Sequence, residues 1–135
     1  MNVFVAEDAP QVRSRLVAMV QRVPGAIVSG EAETVRETID AVLHSHVGAL
    51  LLDLQLKDGS GLEVLSTVKR ERPLVRVIVL TNYATAQHRQ ASRAAGADAF
   101  LDKSQDFGLV PQLLREWIGD AAADASIAIG PEQKH

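Results

Sequence analysis

The sequence predicts an α/β fold in which a doubly wound, five-stranded parallel sheet is covered by helices on both faces. Three observations carry that prediction. The run Ala49-Leu50-Leu51-Leu52 is wholly apolar and stops on Asp53, as a strand buried on both faces does in the middle of a parallel sheet. Val75-Arg76-Val77-Ile78-Val79-Leu80 is β-branched and mostly apolar and ends on Thr81, which suits a neighbouring strand. Between such runs lie apolar stripes at helical spacing, so strand and helix alternate, and right-handed crossovers follow.

In chain order, Asn2 to Ala6 is the first strand, ending on the acidic pair Glu7-Asp8. Pro10 suits the first turn of a helix, where its missing N–H costs nothing, and Asp8 is expected to cap it. Val12, Leu16, Met19 and Val20 continue that helix until Pro24-Gly25. Ala26 to Gly30 is the second strand; Val35, Ile39, Val42 and Leu43 mark a second helix ending near His46. After the central strand, Leu62, Leu65 and Val68 give a third helix that must stop before Pro73, because the residue preceding proline is pushed away from helical angles. Residues 85–95 form a fourth helix whose apolar face is only Ala86, Ala91, Ala94 and Ala95. Such a face buries little area, and hydrophobic stabilisation scales at roughly 25 cal/mol per Å². Gly96 stops it, Ala97 to Leu101 is the fifth strand, and Val110, Leu113, Leu114, Trp117 and Ile118 form the last stripe. The domain is thus expected over residues 1–119. Residues 120–135, alanine-rich with Gly130-Pro131, read as a flexible extension or linker.

Bulk properties narrow the function. A chain of 135 residues suits one domain with one core. The 47% hydrophobic and 23% charged content argues against disorder. Fourteen basic and 17 acidic residues leave a net charge of −3, so no basic field exists for direct nucleic-acid or membrane binding. No apolar run reaches the roughly 20 residues of a membrane span, and no signal peptide is recognisable, so a cytoplasmic location is expected. Cysteine is absent, which excludes thiolate metal sites and Cys nucleophiles.

The carboxyl ends of parallel strands are where open α/β sheets build their sites. Those ends carry Glu7 and Asp8, then Asp53, Thr81 and, just past the fifth strand, Lys103. Three clustered carboxylates raise one another's pKa unless a cation joins them, and a hard divalent ion such as Mg²⁺ meets that need with oxygen ligands. Phosphoryl transfer requires neutralisation of the phosphoryl oxygens more than covalent help. The metal, the Lys103 ammonium and the Thr81 hydroxyl can share those oxygens, leaving Asp53 as the nucleophile. Read singly, Asp53 is a turn residue, Asp8 a cap, Thr81 a strand residue and Lys103 a surface charge; it is their register on four strands that points to chemistry.

Over residues 1–119 the sequence resembles a response-regulator receiver domain of the CheY-like family. The resemblance rests on Glu7-Asp8, Asp53 after Leu-Leu-Leu, Gly61 after the Asp53 loop, Thr81 after Val-Ile-Val-Leu, and Phe100-Leu101-Asp102-Lys103. It implies a flavodoxin-like sheet of strand order 2-1-3-4-5 and phosphorylation of Asp53 by a sensor histidine kinase or phosphotransfer protein. It implies Mg²⁺ binding by Asp8, Asp53 and the Gln55 main-chain carbonyl, with Glu7 acting through water, and a switch made by Thr81 and Phe100. A downstream protein target or a second copy is expected on the face of the fourth helix, fifth strand and fifth helix. The segment Pro24 to Ala32 is similar to receivers of the NarL type, which ordinarily precede a helix-turn-helix domain; none follows here, so the expected output is a protein contact.

Four residues depart from the family pattern. Lys57 stands where proline is common, so the loop is expected to be less constrained and to carry an extra positive charge. Ser104 replaces a commonly cis proline, and a non-proline cis bond costs about 2.5–4 kcal/mol. Asn82 is expected to narrow access for donors, and Tyr83 with Gln55 to alter autodephosphorylation. Asp58 reads as a turn residue, and His44, His46 and His88 as surface residues. These departures also motivate an alternative, a receiver-shaped interaction domain that works independently of phosphorylation. A conventional enzyme is disfavoured, because the chain lacks a general-base histidine in the cluster, a nucleophile elbow and a phosphate-binding glycine loop.

Overall fold

The computed structural model describes the backbone of residues 1–133 and the side chains of residues 1–123. Five parallel strands, β1 (Asn2–Ala6), β2 (Ile27–Ala32), β3 (Ala49–Leu52), β4 (Arg76–Thr81) and β5 (Ala99–Asp102), form one sheet in the order β2-β1-β3-β4-β5. The expected strand order is thereby met. Strands β1, β3 and β4 occupy the middle and are almost wholly buried.

Helices α1 (Pro10–Gln21), α2 (Val35–His44), α3 (Gly61–Glu71), α4 (Ala86–Ala94) and α5 (Val110–Gln133) connect and follow the strands. The pleat sends alternate residues of each strand to opposite faces, which splits the core in two. Leu16, Val20, Leu114 and Trp117 pack with Val5, Leu51 and Leu80 on one face. Val42, Val64, Leu65 and Val68 pack with Leu50, Leu52 and Val79 on the other. Trp117 is therefore a core residue, as its stripe position predicts.

Several local expectations are corrected. The cap of α1 is Ala9, with no side-chain cap bond, and Pro10 holds the first helical position; Asp8 lies one residue outside. On α4, Ala86 and Ala94 are exposed, and the one fully buried residue is Ser92. The backbone of α5 is helical to Gln133, so residues 120–133 continue the last helix, as alanine favours without an amphipathic pattern. The terminal His135 lies outside the described residues. Gly96, at φ +101°, ends α4 as expected.

The loop after β3 also differs from expectation. Gln55–Leu56 and Gly59–Ser60 pair as a short antiparallel hairpin outside the main sheet. Gly61 folds so close under this loop that a Cβ there would stand 2.2 Å from the Asp53 carbonyl oxygen. Only glycine fits where two backbones meet that closely.

Candidate functional site: the carboxyl edge of the sheet

Parallel pairing brings the strand ends together. Ala6 is level with Leu52, Leu52 with Val79, and Thr81 with Asp102, so the residues after β1, β3 and β5 meet beside the end of β4. Glu7 and Asp53 are buried and Asp8 is half-buried. One carboxylate oxygen from each of these three lies within 4.8 Å of the others.

Lys103 reaches into this cluster. Its Nζ stands 2.6 Å from Glu7 Oε1 and donates to Asp53 Oδ2 at 3.1 Å. The Glu7 contact is a close charge pair out of line for a directed hydrogen bond, and among the described residues Oε1 has no other partner. Glu7 Oε2 accepts the Ala9 N–H at 3.1 Å, and Asp53 Oδ1 accepts the Gln55 N–H at 3.1 Å. Burial pushes the Glu7 carboxyl up to about 7, the Lys103 ammonium pulls it down, and the Asp53 charge beside it adds to the rise. Burial disfavours the Lys103 ammonium, but Glu7 and Asp53 outweigh that and hold its pKa above the usual lysine value.

The balance is one ammonium against three carboxylates. Clustered carboxylates in excess of the nearby cation raise one another's pKa, and a further cation relieves that repulsion. The oxygen-only donor set fits a hard divalent ion such as Mg²⁺.

Thr81 is fully buried, and its Oγ1 accepts the Tyr83 N–H at 3.0 Å. Phe100, on β5, is half-buried, with the Arg89 guanidinium 4.6 Å from its ring centroid. A cleft of about 540 Å³ opens beside the cluster, lined by Asp8, Gln55, Lys57, Tyr83 and His88 among others. Asn82 is exposed.

The sequence reading set Glu7, Asp8, Asp53, Thr81 and Lys103 at this edge; the first three and Lys103 meet in one cluster, Thr81 is buried at the end of β4, and Gln55, Lys57 and Tyr83 line the cleft beside them. It missed His88, read as a surface residue, whose ring lies 6.3 Å from that of Tyr83 and whose Nδ1 is 2.7 Å from Thr85 Oγ1. It also missed the hold on Lys57, whose ammonium turns away to Glu33 Oε1 at 2.9 Å. Asp58 is more than a turn residue: its carboxylate accepts the Val35 and Arg36 N–H groups. Those amides, Val35 foremost, hold its carboxyl below the usual range. Ser104 donates N–H and O–H to Asp102 Oδ1, at 2.8 and 2.6 Å, and no cis peptide bond occurs among the described residues.

Comparison with known proteins agrees with this geometry. The chain is 30% identical over 126 residues to the nitrate/nitrite response regulator protein NarP of Escherichia coli (strain K12), covering 93% of this chain and 57% of that protein. It is 30% identical over 103 residues to the DNA-binding transcriptional activator DevR/DosR of Mycobacterium tuberculosis, covering 76% and 48%. The chain therefore spans about half the length of these curated relatives. In fold it superposes on a CheY-like response regulator receiver domain protein from Methanospirillum hungatei JF-1, with TM-score 0.81 at 22% identity over 91% of this chain and 97% of that one. No described helix is long and apolar enough to cross a membrane. Residues 3–115 match the response regulator receiver domain, and the chain belongs to that family of two-component signalling domains, which are not conventional enzymes.

Proposed function

We propose that this receiver accepts a phosphoryl group on Asp53 from the histidine of a sensor kinase or phosphotransfer protein, and that the new charge switches a partner-binding surface. The observation that supports this most is the position of the Lys103 ammonium, in contact with both Asp53 and Glu7 at the buried end of β3.

In the transfer an Asp53 carboxylate oxygen attacks phosphorus. The O–P bond forms, the N–P bond to the donor imidazole breaks, and the departing nitrogen keeps the electron pair and takes up a proton. Asp8, Asp53 and the Gln55 main-chain carbonyl would hold Mg²⁺, with Glu7 acting through water. When bound, the ion neutralises phosphoryl oxygens. Lys103 supplies a fixed positive charge against Asp53 Oδ2 and Glu7. Because Thr81 Oγ1 accepts the Tyr83 N–H, its own proton is free for a phosphoryl oxygen.

The acyl phosphate carries about −1.5 to −2 of charge at neutral pH where the free carboxylate carried −1, so the site gains at most about one negative charge, now held on phosphoryl oxygens that reach beyond Asp53. Thr81 and Lys103 engage that charge in one packing of the domain and not in the other, which biases the two-state equilibrium. Phe100 turns with Thr81, and the altered face is that of α4, β5 and α5, read by a downstream protein or a second copy. The switching unit is residues 1–119, working in the cytoplasm, and its chemistry is confined to its own Asp53. Lys57, Asn82 and Tyr83 tune the lifetime of the phosphoryl group.

Beryllofluoride with Mg²⁺ tests the reading. Amide resonances of Thr81, Phe100 and α4 are expected to shift in the wild type and to stay in place in Asp53→Asn. A wild-type spectrum unchanged by beryllofluoride contradicts the proposal. Partner binding that survives Asp53→Asn supports the phosphorylation-independent alternative instead.

A further inference from the structure

The position where Lys57 replaces proline was expected to loosen the acceptor loop, yet the loop is stitched to a neighbouring segment. Asp58 reaches across 23 residues of sequence to accept the N–H groups of Val35 and, at 3.3 Å, Arg36. The Lys57 N–H donates to the Glu33 carbonyl at 3.0 Å, and its ammonium pairs with the Glu33 carboxylate at 2.9 Å.

Helix α2 also carries a side-chain cap. Its own cap residue, Thr34, accepts the Glu37 N–H through Oγ1 at 3.1 Å and the Thr38 N–H through its carbonyl at 3.3 Å. A helix start leaves four unpaired N–H groups. The Thr34 hydroxyl takes one of these, that of Glu37, and those of Val35 and Arg36 go to a carboxylate carried by the acceptor loop.

The circuit continues to the acidic pair. Arg13 lies 3.7 Å from the other Glu33 carboxylate oxygen and donates to the Glu7 carbonyl at 2.7 Å. Glu33 therefore ties the segment bearing Glu7 and Asp8 to the segment bearing Asp53 and Gln55. We propose that Asp58, with Lys57 and Glu33 as its weaker arm, is a positioning residue that holds the acceptor loop in register for cation binding, taking over the stiffening that a proline at Lys57 would provide. This rests on the reading of the site as a phosphoacceptor with bound Mg²⁺.

The strengths of the arms differ. Hydrogen bonds to a charged group outweigh neutral ones, whereas a solvent-exposed pair such as Lys57–Glu33 is weak and screened by salt. Asp58 is accordingly the residue to change. In Asp58→Ala, Mg²⁺ alone is expected to bind about three- to tenfold more weakly by calorimetry, at the low end of or below what loss of an outer-shell partner does to a metal site. In the metal-free protein, hydrogen exchange at the Gln55 and Lys57 amides should speed up. Asp58→Asn, which keeps acceptor oxygen without the charge, should fall between. Glu33→Gln should give a smaller rise in Mg²⁺ dissociation constant that vanishes at high salt, and it serves if Asp58→Ala fails to fold.

Variants that melt earlier yet bind Mg²⁺ as the wild type does, with unchanged exchange at Gln55 and Lys57, overturn the inference and leave the proposed function standing. A wild type that does not bind Mg²⁺ overturns both.

Discussion

Helices α3 and α4 cover the same face of the sheet, but α3 buries Gly61, Val64, Leu65 and Val68 while α4 buries only Ser92. Helix α3 follows the acceptor loop and is locked beneath it by the close approach at Gly61. Helix α4 follows Thr81 and meets the sheet through a serine, with Ala91 and Ala95 half-buried beside it. Among the described residues the Ser92 hydroxyl has no hydrogen-bond partner, and an unpaired buried polar group works against the packing around it. Under the proposed function the difference would divide the labour of a switch, with Asp53 on the tightly packed side and the readout face on the loosely held one. Segments that move in signalling are drawn from the least stable part of a structure.

The largest test of this contrast is Leu65→Ala. It removes a fully buried side chain of α3 and is expected to cost about 2–5 kcal/mol, measured as a shift in denaturant midpoint. No single truncation on α4 has that much to remove. A loss below 1 kcal/mol would mean that α3 is no better anchored than α4 and would break the comparison.

Second in size is the pH response of the acceptor edge. In metal-free protein burial pushes the Glu7 carboxyl up to about 7, from 4.5 ordinarily. Between those values the folded state holds a proton that the unfolded chain has released. The contribution of Glu7 to stability is therefore complete below about pH 4.5 and lost as pH rises through 7. Glu7→Gln should flatten that part of the stability profile, read by thermal melts in chelator. An identical slope in both proteins would place the titration elsewhere.

The smallest effect belongs to α4. Ser92→Ala removes the orphan hydroxyl and improves helix propensity, and it should stabilise the domain by about 1 kcal/mol. The same change should slow amide exchange in α4 and leave α3 as it was. A loss of stability would mean that Ser92 has a partner and that α4 is better held than its burial suggests.

Much of this was legible in the sequence, for physical reasons that differ by element. Leu50 to Leu52 and Val77 to Leu80 are strands buried on both faces, so their composition announces them. Glu7, Asp8, Asp53 and Lys103 were legible because parallel pairing places strand ends at one edge whatever their sequence separation. The cap of α1 was misread although the signal was present: Pro10 in the first helical position puts the cap at Ala9 and frees Asp8 for the cluster. Two-residue strands such as Gln55–Leu56 have no periodicity to detect. The contacts of Asp58 with Val35 and Arg36, and of Lys57 with Glu33, are tertiary, so nothing local could foretell them. For the same reason Lys57 looked like a loosening substitution before its partner was visible.

The central claim is that Asp53 is the phosphoacceptor on the tightly packed side of that contrast. Intact-mass spectrometry after incubation with Mg²⁺ and a small phosphodonor tests it most directly. The account predicts a single phosphoryl adduct in the wild type, none in chelator, and none in Asp53→Asn. An adduct that persists in Asp53→Asn, or a wild type that never acquires one from either the small donor or a cognate kinase, would contradict it.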